Sequence, residues 1–450
     1  MSKETKKVGM ISLGCPKNLV DSEVMLGHLK NKGWEITDNQ DDADVMVVNT
    51  CSFIEDSKQE SIETILDVAQ LKSKGKLKKL IVAGCLSQRY AKDLEQEMPE
   101  VDHFLGTGEF ESIANFVGSA QAVVPNDDEL PMARSLVTKP KFTYDYATPR
   151  VAVLPKHTAY VKIAEGCSRT CSFCIIPRLR GPGQSRSIDS VVKEVQGLAE
   201  RGTKEIHLLA QDLTAYGIDR NDGTSLYGLL KELDQIDGLE WIRLMYAYPQ
   251  HISDDLIDLI AQSKRICNYL DMPLQHIDSE LLATMRRKVD EQATRDLLKK
   301  LQDRIPNLTL RTTLIVGFPG ETQAQFQKLY NFVEEFEFDR LGVFTYSLEE
   351  NTGAYLMKNQ IDEAIKQERK HQLMTLQQGI SAKKNEAMLG KKIKVLIDKH
   401  LPQESMHLSA GRAESQALDI DGEVFVSKRH PIGSFVEVEV EAVSEYDLYA

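Results

Sequence analysis

Apolar and polar positions along the chain fall into three successive patterns. Early on, short runs rich in β-branched and aliphatic residues stand at 8–13, 45–48 and 80–83. Each is followed by a polar, helix-compatible stretch, at 18–30, 55–72 and 87–97. Continuous apolar strands alternating with helices predict βαβ units and a parallel sheet. A second series repeats the theme, with strands predicted at 159–164, 205–210, 241–246, 269–272, 309–316 and 341–346. Helices are predicted between and after them, at 190–201, 224–235, 254–262, 279–286, 291–303 and 322–335. Six such repeats make a partial or complete barrel, whose C-terminal strand ends carry the site. Beyond a charged helical stretch at 362–384 the pattern changes to strands at 392–397, 422–425 and 435–440, separated by Gly and Pro. That spacing predicts a small all-β module, barrel-like in its layout.

Five of the fifteen prolines, Pro125, Pro131, Pro140, Pro149 and Pro155, crowd between the two α/β series, with Asp127, Asp128 and Glu129 among them. Proline removes a backbone donor and favours extended chain, so a connection between domains is expected there. The expected division is an α/β domain at 1–124, a linker at 125–155, a central (βα) domain at 156–382 and the all-β module at 383–450. The fold class is α/β.

Composition narrows the function. Of 450 residues, 42% are hydrophobic and 27% charged, the balance of a globular protein rather than a disordered or membrane-bundled one. The 55 basic residues are outnumbered by 68 acidic ones, a net charge of −13. Broad nonspecific binding of nucleic acid is therefore disfavoured. The N-terminus, MSKETKKVGM, has no apolar run of the kind a secretion signal needs, and no later stretch approaches the roughly 18 apolar residues of a membrane span. A cytoplasmic protein is expected, and its seven cysteines then point to metal or redox chemistry rather than a disulfide framework.

Cys167, Cys171 and Cys174 form C-x3-C-x2-C in AEGCSRTCSFCIIP. A short triple of thiolates can wrap one face of an iron–sulfur cube and leave one iron open to a small molecule. Zinc competes, but no fourth Cys or His stands at a finger-like spacing. Cys15, Cys51 and Cys85 each end a predicted strand, 36 and 34 residues apart. In a parallel sheet the carboxyl ends of the strands share one edge, so these three converge on one object, and a second cluster is expected. A single cysteine at such a place is more often a small buried hydrophobe, and Cys267 in RICNYLD is expected to be one.

The C-x3-C-x2-C spacing resembles that of the radical S-adenosylmethionine superfamily, in which the open iron is chelated by the amino and carboxylate groups of S-adenosylmethionine. The whole chain is similar to the methylthiotransferase family of those enzymes, which joins a three-cysteine domain, a radical barrel and a TRAM module. SLGCPKNLVDSE, NTCSFI, AGCLSQRY, AEGCSRTCSFCIIPRLRGPGQSRS, MPLQHIDSELLATMRR and IVGFPGET carry the likeness. CPKNLVDSE and CSFCIIPRLRGPGQSRS resemble the RimO branch, which acts on a ribosomal protein. The tRNA branch, MiaB, typically has Gln-Met-Asn where this chain has Pro16, Lys17 and Asn18.

The resemblance implies two 4Fe–4S clusters, on Cys15/Cys51/Cys85 and on Cys167/Cys171/Cys174, with no catalytic residue beyond these ligands. It implies radical cleavage of S-adenosylmethionine, abstraction of a β-hydrogen from an aspartate of the twelfth small-subunit ribosomal protein, and insertion of a methylated sulfur to give 3-methylthioaspartate. Gln211 and Asp212 would meet the methionine amino group, Arg311 the methionine carboxylate, and Gly317 the adenine. An external electron donor, a sulfur donor and the ribosomal protein, alone or on its subunit, are the implied partners; no membrane is. From Lys383 onward nine basic residues face twelve acidic ones, a net of −3, which suits a basic protein better than phosphates. Three alternatives remain open: a MiaB-type tRNA adenosine methylthiotransferase, a two-cluster electron carrier or redox sensor, and a ribosome-binding factor with zinc at both sites.

Overall fold

The computed structural model describes residues 6–118, 134–140 and 143–450. Pro125, Pro131 and the acidic 127–129 stretch lie outside the described residues. The chain forms two compact units: residues 1–153 with 164–169 and 174–186, and residues 154–163 with 170–173 and 187–450.

The first unit is built on β1 (Lys7–Ser12), β2 (Glu35–Ile36), β3 (Val45–Thr50), β4 (Lys79–Gly84), β5 (His103–Leu105) and β6 (Ser135–Leu136). They lie in the order β2-β1-β3-β4-β5-β6, all parallel. Every residue of β3 and β4 is buried, because helices cover both faces. Val48, Leu80 and Val82 pack on one side with Ile65 and Leu86, while Val47, Ile81 and Ala83 pack on the other with Met25 and Phe116. Strands buried on both faces must read as unbroken apolar runs, and these were the legible ones. The short β2, β5 and β6 have no such run. Helices α1 (Pro16–Asn31), α2 (Glu55–Ser73) and α3 (Cys85–Glu97) follow β1, β3 and β4.

One face of α1 is polar and yet buried, with Lys17, Asn18, Asp21, Ser22 and Glu23 all shielded from solvent. Residues 150–153, part of the expected linker, lie on it. Arg150 Nε donates to the Glu23 carboxylate at 2.7 Å, and the Val151 and Val153 amides donate to the Glu23 carbonyl and carboxylate at 3.0 and 2.9 Å. A short antiparallel pair, β8 (Ala164–Glu165) with β9 (Gln184–Ser185), and the helices α4 (Ile113–Gly118) and α5 (Ile176–Arg180) also belong to this unit.

In the second unit β7 (Thr158–Lys162), β10 (Glu205–Leu209), β11 (Trp241–Leu244), β12 (Ile266–Asp271), β13 (Thr309–Val316) and β14 (Arg340–Thr345) form one parallel sheet, ordered β14-β13-β12-β11-β10-β7. β7 and β14 stand at its two edges, so of the two forms expected the sheet takes the open, partial one. The helices start where polar caps satisfy their first amides: Ser187, Ser225, Ser253, Asp278, Asp290 and Thr322 each accept a backbone N–H. The terminal module holds β15 (Lys392–His400), β16 (Ser409–Ala413), β17 (Val424–Val426), β18 (Phe435–Glu439), β19 (Ala442–Val443) and β20 (Leu448–Tyr449) in a mixed sheet, antiparallel except for β17 beside β20. β16 has no β-branched residue to announce it. It needs Gly411 instead, because a side chain there would collide with the Leu396 carbonyl.

A buried ion network ties this module to the sheet. Arg412 on β16 donates to both oxygens of Glu205 at 2.6 and 3.0 Å and to Asp398 at 2.8 Å, while Arg243 reaches Glu205 at 3.1 Å. Burial opposes a charge on Glu205, but Arg412 and its neighbours outweigh it and hold the carboxyl well below the usual range. Removing one partner of a buried pair strands the other, at a cost of about 3–5 kcal/mol. Arg412→Ala is therefore expected to lower the urea midpoint followed by fluorescence of Trp241, which packs on Phe435. Since the folded pKa of Glu205 is depressed, the stability it contributes holds above the ordinary carboxylate range and is lost as pH falls. The gap between the two proteins should thus close in acid.

Candidate active site

Cys15 stands at the start of α1, with Leu13 and Gly14 between it and the end of β1, Cys51 follows the last residue of β3, and Cys85 opens α3 after β4. β1, β3 and β4 are neighbours, so the three cysteines stand along one sheet edge. Gly14 and Gly84, the residues before Cys15 and Cys85, have φ of +83° and +97°, a region that glycine enters without steric cost. This left-handed backbone turns the chain immediately before each of the two cysteines. At Gly14 crowding adds to conformation: a Cβ would lie 2.6 Å from Cys51 Cβ and 2.9 Å from its Sγ.

Backbone carbonyls at this edge are held by side chains. Asn18 Nδ2 donates to the Leu13 and Thr50 carbonyls, both at 2.9 Å, and Asn49 Nδ2 to the Asn18 carbonyl at 2.8 Å. Ser61 Oγ accepts from the Cys51 amide at 3.1 Å and donates to its carbonyl at 2.9 Å. Burial raises the Cys51 thiol and pushes that of Cys85 up to about 12. As bare thiols they stay protonated at neutral pH; a cation has to replace the proton before they can be thiolates.

Arg180, which sequence reasoning passed over, is fully buried at this edge. Its Nη1 donates to Asp21 at 2.6 Å and to Glu165 at 3.3 Å, and its Nη2 to Asn18 Oδ1 and, at 3.7 Å, to Cys85 Sγ. Ile175 and Leu179 pack against Cys85 in one apolar cluster.

The C-x3-C-x2-C motif spans both units. In the first, Gly166 has φ +71°, and a Cβ on it would come within 2.6 Å of the Gly181 carbonyl. The Cys167 amide donates to that carbonyl at 3.0 Å, and Cys167 Sγ accepts from the Arg169 amide at 3.4 Å. A glycine of positive φ thus precedes Cys167 just as it precedes Cys15 and Cys85. In the second unit, Ser172 anchors the loop: its amide and hydroxyl donate to the Met285 and Thr284 carbonyls at 3.0 and 2.9 Å. Phe173 packs with Leu281, Met285, Phe318 and Tyr346. Arg287 Cζ stands over the Tyr248 ring, 4.0 Å from its centre, with Nη1 4.0 Å from Cys171 Sγ. Its buried Nε finds no hydrogen-bond partner among the described residues.

The four expected S-adenosylmethionine contacts occupy different settings. Gln211 and Asp212 follow β10 at its C-terminal end, and the Asp212 carboxylate accepts from the Ala215 amide at 3.2 Å and the Thr214 hydroxyl at 2.8 Å. Arg311 already bonds Asp271 at 2.7 Å. Gly317, at the end of β13, has φ +72°, donates its amide to buried Glu321, and would collide with Lys366 if it carried a side chain. His276 and Arg369 complete the bonding of Glu321, so His276 is a satisfied core residue. Cys267 is buried, its thiol also pushed up to about 12.

Residues 7–106 match an uncharacterised protein family, UPF0004, residues 161–333 the Radical SAM superfamily, and residues 389–450 the TRAM domain. Over 448 residues the chain is 50% identical to the ribosomal protein uS12 methylthiotransferase RimO of Syntrophotalea carbinolica, covering 99% of this chain and 97% of that one. The chain belongs to the RimO methylthiotransferase family. The Geobacter sulfurreducens RimO is 46% identical over 449 residues, covering 100% and 99% of the two chains. Among solved structures, the radical S-adenosylmethionine methyltransferase TsrM of Kitasatospora setae shares the fold, with a TM-score of 0.55 at 16% identity over 76% of this chain and 75% of that one.

Membership in a radical RimO family implies S-adenosylmethionine and a 4Fe–4S cluster, and the residues suit such a group. Among the described residues no set of three or more His, Cys, Asp or Glu is spaced to share one metal ion. A cluster, which takes its thiolates on separate irons, asks for wider spacing than one ion does. Arg287 brings a positive charge to Cys171, where an anionic cluster would sit. No described helix is long and apolar enough to cross a membrane.

Two glycines separate backbone strain from crowding. Gly75 has φ +74° with nothing within 4 Å of a Cβ, so Gly75→Ala should cost only the left-handed penalty of about 1–2 kcal/mol. Gly14→Ala should cost clearly more by urea denaturation, because Cys51 must also move.

Proposed function

We propose that this chain adds a methylthio group to the β-carbon of an aspartate in ribosomal protein uS12. In this reading Cys167, Cys171 and Cys174 hold one 4Fe–4S cluster and Cys15, Cys51 and Cys85 a second. The division at 1–124, 156–382 and 383–450 separates the second cluster's domain, the radical domain and the module that meets the substrate. The observation that carries the two-cluster reading is the trio of cysteines ending β1, β3 and β4, with the residues just after Cys174 packed on Cys85. A radical enzyme that only cleaves S-adenosylmethionine has no use for such a trio.

An unactivated C–H bond lies beyond side-chain acid–base chemistry, so a cofactor must open it. Bound and reduced, the cluster and S-adenosylmethionine together supply a 5′-deoxyadenosyl radical able to take that hydrogen atom. The protein's own residues bind and orient. Ser172 and Phe173 fix the loop that carries Cys171, and Arg287 offsets negative charge beside it. Gln211 and Asp212 stand at a strand end, where superfamily members hold the methionine amino group. Gly317 offers bare backbone to the adenine, held in shape by Glu321. Arg311 meets the methionine carboxylate by sharing its guanidinium with Asp271. The electron and the sulfur come from outside the chain, so a reductant and a sulfur donor are partners. A cytoplasmic setting, with both the ribosomal protein and reducing conditions, belongs to the same reading.

The test is an anaerobic reaction of reconstituted protein with dithionite, sulfide and S-adenosylmethionine, offered separately a peptide of the uS12 loop and an unmodified tRNA. Mass spectrometry should find one methylthio group on the peptide aspartate and none on the tRNA. Modification of tRNA alone would overturn the substrate, and absence of 5′-deoxyadenosine with both clusters present would overturn the radical chemistry.

A further inference from the structure

Among the described residues, Arg180 is the fully buried guanidinium at the cysteine edge, on α5, six residues past Cys174. Taking such a charge out of water costs several kcal/mol before pairing offsets it, and apolar side chains often fill such a space equally well. Its surroundings therefore call for a functional account. Asp21 lies on α1, the helix that starts at Cys15, and Glu165 stands two residues before Cys167. Cys85 Sγ is itself 3.7 Å away. One side chain thus touches a cysteine of the first set and the flanks of both sets.

The charges around it do not balance. Two carboxylates and the neutral Asn18 amide oxygen face one guanidinium, and the next group out is the Cys85 thiol, which becomes anionic on binding iron. A cation fixed beside a cluster favours the reduced state, which carries one more negative charge than the oxidised one, and so raises its reduction potential.

We propose that Arg180 is a positioning residue serving both cysteine sets: it fastens the segments that flank Cys167 and Cys174 to the edge carrying Cys85, and supplies the cation beside a cluster on Cys15, Cys51 and Cys85. The proposal rests on reading those three as cluster ligands. It makes Arg180 a link through which the radical loop and the sulfur-bearing centre keep their relation. It also makes the potential of that centre depend on a residue of the radical segment.

The test uses the full chain with Cys167, Cys171 and Cys174 all changed to Ala, so that one cluster remains, titrated with dithionite and followed by electron paramagnetic resonance. Arg180→Gln should lower the midpoint potential, Arg180→Lys should leave it near the parent value, and Asp21→Asn, which removes an opposing anion, should raise it. In the protein with all its cysteines, Arg180→Gln should also raise the ratio of 5′-deoxyadenosine formed to methylthio groups transferred. If Arg180→Gln does not fold, by circular dichroism, Asp21→Asn and Arg180→Lys decide. Midpoints that stay put in every folded variant overturn the proposal while leaving the cluster reading intact. A parent that takes up no iron overturns the cluster reading, and the proposal with it.

Discussion

Everything at the candidate site depends on one property of a parallel sheet: its strands all end along the same edge. β1, β3 and β4 are hydrogen-bonded neighbours, so residues 36 and 34 positions apart in sequence arrive side by side without any local motif. The edge then has to be turned. Gly14 and Gly84 supply left-handed backbone immediately before Cys15 and Cys85, and Gly166 does the same before Cys167. The same two-residue unit, a glycine of positive φ followed by cysteine, occurs in both sets of cysteines.

The second constraint is polar burial. CPKNLVDSE reads as a solvated helix start, yet Lys17, Asn18, Asp21, Ser22 and Glu23 are all shielded. Four of these five are held by named partners. Asn18 and Ser22 join the hydrogen bonds around Asn49, Glu23 receives the chain at 150–153, and Asp21 faces Arg180. Buried polar groups need such partners or they cost more than they contribute. The arrangement therefore ties the wording of this motif to the chain segments that cover it.

The double-faced strands and the capped helices were legible because their physics is local. Runs such as VMVV at 45–48 and LIVA at 80–83, each followed by a helical stretch, read as interior strands, and Asp254–Gln262 and Thr309–Val316 fell at their expected limits. What stayed illegible was either too short to carry a pattern, as β5 and β6 are, or built on small residues, as β16 is. Arg180 and Arg287 were missed for another reason. An arginine in RLRGPG or MRRK looks like any surface cation, and only the packing of segments distant in sequence shows that each stands beside a cysteine. Arg311 marks the same limit from the other side, since its partner Asp271 lies on a neighbouring strand that no spacing rule identifies.

The terminal module shows how net charge understates what a surface offers. Of the nine basic residues from Lys383 onward, Arg412 is turned inward onto Glu205 and Asp398, while Lys383, Lys384, Lys394 and Lys399 pair with Glu337, Asp339, Glu240 and Glu423. Grip on a nucleic-acid backbone comes from cations available to neutralise phosphates, and a cation already paired with a carboxylate contributes little to it. Glu437, Glu439, Glu441, Glu445 and Asp447 have no basic residue among them in sequence. Pairing removes as much negative charge as positive, so the residues from Lys383 onward keep their net of −3 while fewer of their cations stay available to phosphates. The ion network that fastens the module to the sheet thus also withdraws Arg412 from the module's surface.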